Sequence, residues 1–246
     1  AFGCGRGFSG GRGGRGVDFS QAVLLTLQTP GIGGRGFGFL GPRLGDPGAT
    51  SIPPDTCGVA GTDHFVAAVN SNLSAWRKDT QMRVLSTPLQ SFWGASVGDP
   101  RIAYDFANDR WVAIATPFNN RIYIAYSLTN DPTGAWFKAS FNAAQGSDTG
   151  RWVDYPTLGV DSRGIFIGAF MVGNPARMTI FAIDKAPLLS SSPTLGTVTA
   201  FRSLAFNGAI QHAVQVDDPG ESYMISTRTS GTLRLRTLSP PMTNPA

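Results

Sequence analysis

From Ile52 onward, apolar and polar residues alternate over short runs, and the runs are broken by Asp, Asn, Gly and Pro. A two-residue period is the pattern of β-strands, and the breaks carry turn chemistry. Four stretches repeat one design: "DTCGVAGTDHFVAAVN", "DPRIAYDFANDRWVAIA", "YPTLGVDSRGIFIGAF" and "QHAVQVDDPGESYMIS". Each reads as a short apolar strand, a turn, and a second strand rich in aromatic and β-branched residues. The turn positions align at Gly61, Asp105, Asp161 and Asp217. More strand-like sequence follows each pair: "NLSAWRK" and "MRVLSTPLQSFW", "RIYIAYS" and "AWFKASF", "MTIFAID" and "VTAFRSLAF", and finally "TLRLRTL" alone.

A unit of four antiparallel strands repeating every ~40–50 residues predicts β-propeller blades. One such sheet cannot bury both faces, whereas sheets stacked around an axis can. The expected fold is all-β and β-propeller-like, with about four blades of four-stranded antiparallel sheet. It would be either a complete small propeller or part of a larger one. "GVAG", "IAYD", "LGVD" and "VQVD" are expected to line the axis, where Gly58, Ala60, Ala103 and Gly159 suit the crowding. Alternation then assigns Val66, Ile114, Ile167 and Ile225, or their neighbours, to the core between blades. The fourth unit lacks its last strand, and the segment around Ala22–Leu27 could supply it and close the ring. Residues 52–246 form the expected propeller domain, 17–51 a partly irregular segment, and 1–16 a Gly/Arg-rich leader. An incomplete ring would leave a blade face exposed and favour an oligomer.

Composition supports the all-β reading. The chain has one Glu, three Lys, 31 Gly and 17 Pro, which is poor in surface helix formers and rich in turn residues. The net charge of +4 arises near the start of the chain, where Arg6, Arg12, Arg15, Arg35 and Arg43 outnumber the acids. A nucleic-acid-binding reading therefore rests on "GRGFSGGRGGRG" alone. No run approaches the roughly 20 apolar residues of a membrane helix. Cys4 and Cys57 could form one disulfide or remain two buried thiols; without a CxxC, and with His64 and His212 isolated, the sequence gives no support for a zinc site.

"SLTNDPTGAWF" resembles the Asp box of sialidase-like propellers, with Thr129, Asp131, Gly134 and Trp136 at or near the matching places. It falls between the third and fourth strands of a unit. Its role there is structural: Asp131 accepts backbone N–H groups, Gly134 takes a positive φ, and Trp136 packs between strands. More broadly, Ile52–Leu238 resembles a group of secreted bacterial proteins with propeller folds. The resemblance rests on "PPDTCGVAGTDHFVAAVNSNLSAW", "GDPRIAYDFANDRWVAIA" and "DYPTLGVDSRGIFIGAFMV". Cys57 departs from that group, which often reads PPDTNG. The resemblance implies an exported, extracellular or cell-surface bacterial protein and no particular chemistry.

Several residue sets are candidates for function. Asp55, Asp99 and Asp154 lie at or just before the inner strands, where three converging carboxylates could hold calcium; each could equally cap its own turn. Arg151, Trp152, Asp154 and Tyr155 flank another inner strand and could grip a sugar or a peptide. A sialidase-like hydrolase would need an arginine cluster, a Tyr nucleophile with a Glu base, and an Asp acid. Arg101, Arg110, Arg151 and Arg163 are available, as are Tyr104, Tyr155 and Asp154, but Glu221 lies in the late turn "DDPGESY". The expected function is a binding or structural module that recognises carbohydrate or protein. Glycoside hydrolysis and Arg/Gly-mediated nucleic-acid binding are the alternatives.

Overall fold

The computed structural model describes residues 24–27, 37–43, 45–46, 50–206, 208–215, 218, 220–229 and 231–239. The leader 1–16, Cys4 and Asp217 lie outside them, and with Cys4 the question of its pairing with Cys57. The described chain is all-β apart from one five-residue helix, α1 (Leu89–Trp93), and two 3₁₀ turns. A hairpin of β1 (Leu24–Leu27) and β2 (Phe37–Leu40) precedes the repeats. Three four-stranded antiparallel sheets follow, each running through its strands in chain order. The first holds β3 (Cys57–Ala60), β4 (His64–Val69), β5 (Asn72–Arg77) and β6 (Arg83–Pro88). The second holds β7 (Gly98–Asp105), β8 (Arg110–Thr116), β9 (Arg121–Ser127) and β10 (Trp136–Asn142). The third holds β11 (Trp152–Val160), β12 (Gly164–Val172), β13 (Arg177–Asp184) and β14 (Val198–Leu204). The fourth sheet has three strands, β15 (Gln211–His212), β16 (Ser222–Thr229) and β17 (Thr232–Leu238).

This is the propeller-like arrangement that the repeat predicts. The first strands β3, β7, β11 and β15 are neighbours in that order, so each sheet stands with its inner edge toward a common axis. Alternation explains how a middle sheet can be apolar on both faces. Along β8, Trp111, Ala113 and Ala115 pack toward the first sheet. Val112 and Ile114 pack toward the third, against Ile165, Ile167 and Phe181. Phe166, which points the other way, joins Ile180, Met224 and Leu238 between the third and fourth sheets.

Val66, Ile114 and Ile167 are fully buried, as their positions require. Ile225 is 40% exposed, and its neighbour Met224 takes the buried place. Among the described residues the fourth sheet has a neighbour on one face only, so one parity of β16 faces solvent. One correction concerns ring closure. Leu24–Leu27 pairs along its length with Phe37–Leu40, in a two-stranded sheet of its own and not with β17. Two apolar strands separated by a short Gly-rich connection close a far smaller loop than a pairing across the whole chain would.

Candidate functional site: a cavity on the propeller axis

The inner strands start with an unusual backbone. Asp55, Asp99 and Tyr155 have φ of 42°, 48° and 42°. They occupy the same place in three successive sheets, and the turn residues Gly61, Asp105 and Asp161 follow each at the same interval. Asp tolerates the left-handed region because its carboxylate can bond nearby backbone. Tyr does not, so its conformation must be imposed from outside. Asp99 helps to impose it: its Oδ2 accepts the Tyr155 N–H at 2.9 Å. The Arg101 guanidinium then lies over the Tyr155 ring, 4.6 Å from its centre.

This register explains why the three expected calcium ligands do not converge. Asp55 and Asp99 are equivalent, but the third place belongs to Tyr155; Asp154, one residue earlier, pairs with Phe170 across the β11–β12 ladder. Among the described residues, no group of three or more His, Cys, Asp or Glu gathers in a metal-binding arrangement. The Asp55 and Asp99 carboxyls share a hydrogen bond, and Asn70 Nδ2 donates to Asp55 at 2.9 Å. Burial, followed by this contact, pushes the Asp99 carboxyl up to about 7.

Past these residues the four inner strands enclose a cavity of about 410 Å³. Gly58 and Val59 line it from β3, Ala103 from β7, Gly159 from β11 and His212 from β15. The small residues at Gly58, Ala103 and Gly159 thus sit where axial crowding predicts them. At Gly159 the reason is specific, because a Cβ there would collide with the His212 ring. That ring stacks on Phe166, with centres 4.7 Å apart and planes 9° from parallel. Burial pushes the His212 imidazole down to about 4, against the pull of Asp161, whose Oδ2 lies 3.9 Å from Nε2. The ring is neutral near pH 7.

Two further lining residues have chemistry to offer. Arg101 is 3% exposed. Its Nη1 donates to the Pro100 carbonyl at 2.8 Å, while Nε and Nη2 make no hydrogen bond among the described residues. Phe106 follows the last residue of β7. It is 53% exposed and packs edge-on against Tyr104, with ring centres 5.2 Å apart.

The binding quartet expected around β11 is only partly assembled. Arg151 serves the backbone, donating to the Pro175 carbonyl at 2.5 Å with Nε 3.7 Å from Asp148. Trp152 is 39% exposed. Tyr155 reaches the cavity lining through Arg101. The other arginines are also occupied separately. Arg110 donates to the carbonyls of Asn108 and Asp109 in its own turn, and Arg163 to Asp161 and Ser222. No arginine cluster of the sialidase type forms among them.

The Asp-box-like turn lies between β9 and β10, as expected. Asp131 Oδ1 accepts the Thr133 N–H at 2.9 Å, and Trp136 Nε1 donates to the Pro132 carbonyl at 3.1 Å. Gly134 does not have a positive φ, however. It is needed for space: a Cβ would lie 3.2 Å from Thr129 Oγ1 and 3.3 Å from the Asp131 carbonyl.

One structural centre has only a faint sequence signal. Lys185 is 1% exposed and donates to both oxygens of Asp105 at 2.8 Å and to the Asp161 carbonyl at 2.5 Å. The Tyr126 hydroxyl donates to the same carboxylate at 2.8 Å; burial first, and then that charge, raise its pKa. Lys185 thus ties the turn of the second sheet to that of the third. Ser222 of the fourth sheet donates to Asp161 in turn, and Thr62 of the first sheet donates to Asp109 of the second at 2.8 Å. The one available hint is compositional, since a lysine just after an apolar strand is conspicuous in a chain with three.

No protein-family model matches the chain, and no curated protein matches it. Solved structures similar to it include an exo-β-1,3-galactanase from Phanerochaete chrysosporium: 13% identity, 76% of this chain and 47% of that one, TM-score 0.45. An α-L-arabinofuranosidase from Clostridium thermocellum matches with 13% identity, 74% and 66% coverage and a TM-score of 0.43. A GH43 β-1,3-galactosidase matches with 12% identity, 88% and 49% coverage and a TM-score of 0.39. The chain therefore spans less than two thirds of each. Its propeller-like class is carried by its own strand order.

Proposed function

We propose that this protein is a binding module that takes a small carbohydrate into the axial cavity, and that it works outside the cell. The observation that carries the reading is the convergence of all four inner strands on one cavity of about 410 Å³ with a half-exposed aromatic ring, Phe106, at its side. That volume lies in the range of small-molecule sites, roughly 300–1,000 Å³. An aromatic face stacks on the C–H face of a sugar, and the two unused N–H edges of Arg101 offer donors for hydroxyl or acidic oxygens.

One pair of carboxyls bears on the alternative of hydrolysis. The carboxyls of a retaining glycosidase stand about 5–5.5 Å apart, with the bond to be cut between them. Asp55 and Asp99 are in hydrogen-bond contact with each other, which leaves no such room. The test is calorimetric titration with a panel of neutral and acidic monosaccharides. Saturable binding that Phe106→Ala weakens is expected. A panel without binding, or turnover of a glycoside, would refute the reading.

A further inference from the structure

The third strand of each complete sheet is largely buried: β5, β9 and β13 each hide most of their residues beneath neighbours. β17 holds the same place in the fourth sheet and does not. Leu233 is 67% exposed and Leu235 64%, and Ile225 lies directly opposite Leu235 on β16. The three other sheets each have a fourth strand beyond this position, whereas β17 is itself the edge of its sheet among the described residues. Its backbone N–H and C=O groups on that side are a template for one more strand.

The strand also carries a charge code. Leucines occupy one face, and Arg234 and Arg236 occupy the other. Burial, and then the neighbouring Arg234 charge, lower the pKa of Arg236. Two arginines on one face of an edge strand call for acidic residues opposite, since cross-strand pairs of opposite charge are favourable and like charges are not. Self-pairing of two β17 strands around Leu235 would set Arg234 against Arg236, which disfavours a second copy as the occupant.

We propose that the outer edge of β17 docks an extended segment of another protein in which apolar and acidic residues alternate. The added strand would set its apolar side chains beside Leu233 and Leu235 on one face and its carboxylates beside Arg234 and Arg236 on the other. It would complete the fourth sheet to the same strand number as its siblings.

The full chain, titrated with a fluorescent seven-residue peptide of alternating Val and Glu, should show saturable binding by anisotropy. A peptide with Lys in place of Glu should bind about tenfold more weakly. The double variant Arg234→Glu/Arg236→Glu should reverse that order. Hydrogen exchange gives an independent reading in the unaltered chain: the alternate β17 amides that point away from β16 should be unprotected alone and slowed by the Val/Glu peptide. Equal binding of the two peptides, absence of binding, outward-pointing β17 amides already protected in the isolated chain, or a dimer in sedimentation that Leu235→Lys dissolves would each overturn the proposal.

Discussion

Two buried residues near the axis titrate in opposite senses, and the signs can be worked out. Asp99 keeps its proton up to about 7 in the folded chain, while an ordinary carboxyl loses it near 3.8. Between those values the native state holds the extra proton, so this residue makes stability fall as pH rises. His212 is held down to about 4 from an ordinary 6.5. In that interval the unfolded state holds the extra proton, so stability rises with pH and is lost as pH falls from 6.5 toward 4. The two slopes oppose each other over the overlap. Asp99→Asn should therefore uncover a melting temperature that climbs between pH 4 and 6.5. His212→Gln should uncover one that falls over the same range. Thermal melts across that range check both, and unchanged profiles would show that neither group is shifted.

Among the elements, the turns after the inner strands tie each sheet to the next, and Lys185 is the most buried of these ties. Removing one partner of a buried ion pair leaves the other charge stranded, at a cost of about 3–5 kcal/mol. Lys185→Met should lower stability by that order in chemical denaturation, because Asp105 is 1% exposed and cannot turn to water. Sequence patterning located these turns but not their partners. The Asp after an apolar strand is visible in "IAYD" and "LGVD". Its partner lies some 80 positions away for Asp105, at Lys185, and no local pattern carries that information. The Asp154 misplacement has a similar origin. Aligning by residue type chose the carboxylate, whereas the backbone repeat chose Tyr155, whose left-handed φ only the neighbouring sheet enforces.

At the scale of the molecule, the repeat, the strand order and the axial crowding were all legible, because they follow from period-two alternation and side-chain size. What covers each sheet was not legible, because it depends on how many neighbours stand around the axis. Ile167 and Ile225 look alike in the alignment, but the first is fully buried and the second 40% exposed. Ile167→Ala should cost about 2–5 kcal/mol and Ile225→Ala within about 0.5 kcal/mol. Equal losses would mean that the outer face of the fourth sheet is covered in solution.

The central claim is that ligand enters the axis. Amide chemical-shift mapping during titration with the tightest-binding monosaccharide of the panel tests it most directly. The account predicts concerted, saturable shifts at Val59, Ala103 and Gly159, within three of the inner strands, and at Ala213, just past the fourth. Shifts confined to the Arg151–Tyr155 segment, with Val59, Ala103, Gly159 and Ala213 unmoved, would contradict it.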